Sequence, residues 1–280
     1  MASTTAMQPH EFERPVLDLS GELLRAAMQA MVSGSEEHGG VERYVDAVKL
    51  KSTMFRQALV DSEVAALDLD TFKGLCTFMA TVRRRISHWL NEESFEQMRG
   101  HIVELFDDAE HIDNRIGRFC DQFPNDKKHR WVRDLATELL HNADPERVPL
   151  MNRWVWDARA NSGVIREIWH GDNVDHMKIP VGDGYGTYLM LREELSQFLS
   201  DNGVFRDVLY YVDVLCAQIY ARYICEQGGS YLRADFSSPE DPMQHTRRLL
   251  GLDGVQAGDG RTRLKSIDGE AFRIDDSKLN

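Results

Sequence analysis

Residues 204–227 read VFRDVLYYVDVLCAQIYARYICEQ. At ~100° per residue, the apolar members Val204, Phe205, Val208, Leu209, Tyr211, Val212, Val214, Leu215, Cys216, Ile219, Tyr220 and Tyr223 cover well over half of the helical circumference. A helix that is apolar on most sides has to be surrounded, so this stretch predicts the central buried helix of a helical fold. Asp213 falls on its narrow polar edge with Arg206 and Tyr220, where a structural hydrogen bond or ion pair is expected.

Working outward, the same period recurs. Ser20 is placed to cap a short helix carrying Leu24, Ala27, Met28 and Met31, and Gly39-Gly40 separates it from a second helix over about 41–60. Further helices are expected from Asp70 to Leu90, from 95 to 121 behind a Ser94-x-x-Gln97 capping box, and from Asn125 or Asp126 to Ala143. The two that flank Pro124 should form an antiparallel hairpin, and Asp144-Pro145-Glu146 has the signature of another helix start. Between residues 161 and 188 the period loosens, and Asp183-Gly184 is suited to turn a small β-hairpin. Ser238-Pro239-Glu240 opens a last helix ending near Gly251, and Asp268-Gly269 is a second candidate hairpin turn.

The fold class is therefore all-α: a multi-helix, bundle-like domain with a small irregular or β-hairpin insertion and a flexible C-terminal tail. The expected organisation is a disordered leader over 1–17, a helical domain over 18–251 with the insertion at about 161–188, and a flexible acidic tail over 252–280.

Of the 280 residues, 42% are apolar and 28% charged, which is the ordinary globular range and permits a sizeable core without disulfides or metals. The longest charge-free apolar stretches fall short of the ~18–20 residues a membrane span needs, so no membrane association is expected. A net charge of −13 works against non-specific binding to polyanions, so nucleic acid is disfavoured as a partner. Cys76, Cys120, Cys216 and Cys225 are scattered among apolar neighbours without CxxC spacing and read as buried free thiols. With no apolar segment after Arg14 to serve as a signal, the expected location is cytoplasmic.

Four constellations carry possible chemistry. Glu104, Asp108 and His111, with Glu138-x-x-His141 on the other arm of the expected hairpin, resemble the carboxylate and histidine pattern of helical-bundle enzymes that hold iron, manganese or zinc. A helical wheel places Glu104, Asp108, His111 and Arg115 away from the Ile102, Leu105, Ile112, Ile116 stripe. It also sets His141 opposite, and Glu138 beside, the face of Trp131, Val132, Leu135 and Leu139, so these groups are expected in solvent. Arg83 and His88 have an R-x4-H spacing used by some helical ribonucleases, equally consistent with a basic surface turn. Lys127, Lys128 and Arg130 form a second basic turn at a helix start, where cations oppose the macrodipole and an acidic partner would relieve the cost. Arg153, Trp154, Trp156 and Arg159 combine the residue types that dominate protein interfaces, and two tryptophans ~200° apart on a helix cannot share one face.

The leading expectation is an accessory, regulatory or scaffold protein without a catalytic residue or cofactor. It would contact a protein partner, a second copy of itself included, through Arg153, Trp154, Trp156, Arg159 and the basic turn Lys127, Lys128, Arg130. A metal-dependent helical enzyme and a helical ribonuclease are the rival expectations.

Overall fold

The computed structural model describes residues 14–227 and 242–252, together with two short strands, 263–265 and 271–273. Among the described residues the chain forms helices α1 (Gly21–Ser35), α2 (Val41–Arg56), α3 (Leu69–Thr77), α4 (Arg83–Ile86), α5 (Glu92–Phe106) and α6 (Ile112–Asp121). There follow α7 (Trp131–Ala143), α8 (Val164–Glu167), α9 (Tyr185–Asp201), α10 (Val208–Gln227) and α11 (Pro242–Leu249). Strands β1 (Arg263–Lys265) and β2 (Ala271–Arg273) pair antiparallel, with Arg263 opposite Arg273; the expected turn at Asp268-Gly269 lies outside the described residues. No helix among the described residues is long and apolar enough to cross a membrane.

Local chemistry accounts for most starts and stops. Ser20 Oγ accepts from Leu23 N at 3.4 Å and caps α1, while Gly39 and Gly40, both at positive φ, make the break before α2. Helix α5 starts earlier than Ser94, because Asn91 is its cap and Ser94 returns the bond as the third helical residue. The long helix expected over 95–121 is two helices. The acidic run Glu104, Asp107, Asp108, Glu110 would sit along its interior, and Asp107 instead accepts from Ala109 N in a tight turn that ends α5. Arg115 of α6 folds back and donates from Nε to the Leu105 carbonyl at 2.8 Å, so it is buried rather than solvated. Asp144 does accept from Arg147 N, but Pro149 lacks the amide that would continue the turn, and no helix forms there.

Two further expectations need correction. The insertion over 161–188 contains no hairpin: Ile179 and Val181 are buried in extended chain, and Tyr185–Tyr188 form the first turn of α9. The reason lies 72 residues away, where the Asp113 carboxylate accepts from Tyr185 N at 2.9 and 3.1 Å and caps the helix from outside. At the other end, the chain is anchored from the last residue of the expected leader onward, while Val16 before it is 88% exposed. Leu17 is buried, Ser20 N donates to Ile168 O and His170 N donates to Asp18 O, both at 2.8 Å. Residues 1–13 lie outside the described residues, as does most of the expected tail; Leu252, where that tail was expected to begin, is buried.

The core has two centres. Helix α10 packs against α1, α2, α8, α9 and α11, as its apolar circumference requires; α7 packs against α2, α5 and α6. Every residue of α7 except Arg133 is buried. Helix α2 touches both, so polar residues of α2, α7 and α10 share one interior.

Gly251 follows α11 at φ 73°, and a Cβ there would run into the Phe78 carbonyl. Gly251→Ala should therefore cost more than the ~1–3 kcal/mol of a left-handed non-glycine residue alone. Gly100 in α5 has open space around it, so Gly100→Ala should stabilise by about 0.5–1 kcal/mol. Urea unfolding of the two variants checks both signs.

Candidate functional site

Helix α7 presents Asp134, Glu138 and His141 at spacings of four and three, one stripe of a helix with no solvent face. Three ionisable groups in an interior each need a partner, and each finds one on a different segment. Asp134, fully buried, accepts from Arg153 Nε at 3.1 and 3.2 Å and from Nη2 at 2.7 Å, a forked contact. Glu138 Oε2 lies 2.9 Å from Lys51 Nζ of α2 and accepts from Asn142 Nδ2 at 3.1 Å, while Oε1 accepts from Asn152 Nδ2 at 2.9 Å. His141 Nε2 lies 3.0 Å from Asp213 Oδ2 of α10, and Nδ1 lies 2.8 Å from the Val148 carbonyl.

Both neighbours of the His141 ring are acceptors, so both ring nitrogens donate and the ring is an imidazolium. Burial works against that charge, but the Asp213 carboxylate and the Val148 carbonyl outweigh it and hold the His141 pKa above its ordinary value. The stripe is then three ion pairs with no net charge.

The network also ties in the chain beyond α10. Lys51 Nζ donates to the Leu250 carbonyl at 3.0 Å, and Thr246 Oγ1 of α11 bonds Gln218 Oε1 of α10 at 2.7 Å. Ser52 Oγ donates to Asn142 O at 2.8 Å. The cavity bounded by Lys51, Glu138, His141, Trp154, Asp213 and Leu250 has room for about one water molecule, too little for a substrate-sized group beside the Lys51–Glu138 and His141–Asp213 pairs. With the Glu138 carboxylate held by three donors and the His141 imidazole donating twice, neither group is free to act as a base, while Asn152 Oδ1 is a buried acceptor without a partner among the described residues. The chemistry of the site is electrostatic fastening.

This interior gathers residues that the sequence assigns to two different hypotheses. Glu138 and His141, expected in solvent, are 2% and 4% exposed, because α7 has neighbours on every side and a wheel supposes a single apolar face. Glu104 and Asp108 are exposed, and Asp108 lies 3.5 Å from Arg147. His111 caps α6 by accepting from Asp113 N through Nδ1. Among the described residues no three His, Cys, Asp or Glu side chains lie close enough to hold a metal ion, so this expected ligand set does not converge. Trp154 and Trp156, expected at a partner contact, are core residues, and Trp156 Nε1 donates to the Val181 carbonyl at 3.3 Å. Arg153 is spent on Asp134; Arg159 is exposed. Arg83 and His88 do not share a helix, since α4 ends at Ile86.

Residues that pattern reading passes over are Lys51, Asp134, Asn142 and Asn152. A signal was available in the same interior: Glu138 and Asp213 each stand among mostly apolar neighbours, Leu135 to Leu140 and Val212 to Cys216, and so call for donors from elsewhere.

Outside the core, the two basic turns come together. Trp89, just after α4, packs its ring 5.7 Å from Phe123 and 6.4 Å from Trp131, and Phe123 lies 5.7 Å from Phe119 and 5.9 Å from His101. This aromatic cluster joins the turn holding Arg84, Arg85 and His88 to the turn holding Lys127, Lys128 and Arg130, and all six are exposed.

No protein family, curated protein or solved structure matches this chain.

Breaking one member of a buried pair leaves the other charge uncompensated, so Lys51→Met should destabilise by about 3–5 kcal/mol. Lys51→Met/Glu138→Met should regain part of that in urea unfolding, because no lone charge remains. The His141 pair has a pH signature. A folded pKa raised above 6.5 contributes stability that is complete below pH 6.5 and lost as pH rises through the folded value. The stability gap between wild type and Asp213→Asn should therefore be largest in mild acid and narrow above pH 6.5.

Proposed function

We propose that this chain is a non-catalytic accessory, regulatory or scaffold protein that binds an acidic segment of a protein partner on the basic face where the two turns meet. The observation that carries this reading is the packing of Trp89 on Phe123 and Trp131, which merges two separate basic sequences into one exposed surface. Residues 83–93 and 118–133 hold eight Lys and Arg against four Asp and Glu, the reverse of the balance in a chain of net charge −13. Arg84, Arg85, Lys127, Lys128 and Arg130 take part in no ion pair among the described residues. They are free to meet an outside anion.

Helix α7 adds to this. It starts without a side-chain cap, so the positive end of its dipole and the cations before Trp131 both favour incoming negative charge.

A protein partner fits better than a nucleic acid on two grounds. Trp131 is buried, and Trp89 and Phe123 pack edge-on against each other and are only part-exposed, which leaves little ring surface for bases to stack on. Glu92, Glu93, Asp121 and Asp126 interleave with the cations, a mixed pattern suited to a protein surface and costly against uniform phosphate.

Titration with a fluorescent poly-glutamate peptide and with a single-stranded oligonucleotide of equal charge tests this reading. The peptide should bind with an affinity that falls as salt rises, and Lys127→Glu/Lys128→Glu/Arg130→Glu should weaken it at least about tenfold without changing the circular dichroism. Preference for the oligonucleotide, or no binding of either, would overturn it.

A further inference from the structure

We infer that the acidic surface taken by the basic turn is a cleft on a second copy of this chain, so that the protein associates head to tail. The inference rests on the proposed basic face and names its partner. The cleft, about 480 Å³, lies between the first turns of α2 and the turn 203–207 that precedes α10. Its walls carry three carboxylates, Glu42, Asp46 and Asp207, against one cation, Arg206. Phe205 stands at its rim with 78% of its surface exposed.

A single exposed phenylalanine would carry no weight, since scattered apolar residues are normal on protein surfaces. This one is held in place. Gly203, at φ 91°, donates from N to Ser200 O at 3.1 Å, and Val204 N donates to Leu199 O at 3.0 Å. On the other side of Phe205, Lys49 Nζ of α2 pairs with Asp207 at 2.9 Å. The turn that carries the ring is thus fastened at both ends. Glu42 is already engaged by the Tyr211 hydroxyl at 3.2 Å, which leaves Asp46, exposed and in no ion pair among the described residues, as the uncommitted anion.

A carboxylate and an aromatic ring lining one cleft suit a lysine or arginine, whose alkyl stem can lie along the ring while the charged head reaches the carboxylate. The connector between α6 and α7 offers such side chains: Lys127, Lys128 and Arg130 sit in an exposed turn spanning residues 122–130. The two surfaces belong to different elements, so the contact is heterologous. One copy's turn enters the next copy's cleft, leaving a free turn and a free cleft at the ends.

Two variants allow a complementation test of the full chain by sedimentation velocity and light scattering. Lys127→Glu/Lys128→Glu/Arg130→Glu removes the turn. Asp46→Lys/Phe205→Ser removes the cleft while sparing the Lys49–Asp207 and Tyr211–Glu42 contacts. Wild type should increase in weight-average mass with concentration and lose that increase in high salt. Each variant alone should stay monomeric, and an equimolar mixture should form a 1:1 heterodimer, because one variant retains the turn and the other the cleft. A wild type that stays monomeric at all concentrations, a mixture that stays monomeric, or a cleft variant that associates like wild type would overturn the inference. If poly-glutamate still binds a monomeric wild type through the basic turn, the self-association idea has failed and the basic-face reading has not.

Discussion

The contact on which the rest of the fold depends is the stripe of three ion pairs on α7. Burying one carboxylate without a partner costs several kcal/mol, comparable to a large share of a domain's net stability. Helix α7 buries two carboxylates and a histidine, and their partners come from α2, from the segment after Pro149 and from α10. Any packing that slides one of these segments leaves two charges stranded. Hydrophobic contacts tolerate such slips because one apolar surface is much like another; an ion pair in the interior does not. The stripe therefore selects one arrangement of helices among the several that the apolar faces alone would allow.

This interior also separates two kinds of charge in one acidic chain. Inside, the charges cancel in pairs and are closed off by α11 and the Lys51 bond to Leu250. Outside, the negative excess covers most of the solvated helix faces and is interrupted where Trp89 brings the basic turns together. Glu138, His141 and Arg153, which look reactive or sticky in the sequence, belong to the first kind and hold the fold together. The cations of the two basic turns, Arg84, Arg85, Lys127, Lys128 and Arg130, belong to the second kind and stay on the surface.

How much of this could be read beforehand depended on distance along the chain. Caps and breaks set by neighbours were legible: Ser20 on α1 and the Gly39-Gly40 interruption both lie where local chemistry places them. The middle of α10, residues 212–219, was legible too, since its apolar circumference admits only burial. Features set from afar were not. Tyr185 looks like part of a strand until the Asp113 carboxylate caps it, and Glu138 looks solvated until Lys51 and Asn152 arrive. Trp154 and Trp156 were assigned to a partner because a helix was assumed to have one buried side; the chain gives them a turn with core on both sides. The acidic run at 104–110 was read as a continuous helix surface when its carboxylates end the helix instead.

The bond from Lys51 to the Leu250 carbonyl closes a loop of 199 residues. During synthesis, at ~5–20 residues per second, some 10–40 s separate the emergence of the two groups. Through that interval the lysine has Glu138 to lean on only after α7 has appeared, and the opening that α11 will cover stays exposed. A newly made chain thus passes through a stage in which most helices exist but the charged seam of the interior is still wet. This is the stage most vulnerable to proteases and chaperone capture, and the arrival of the α11 segment is what ends it.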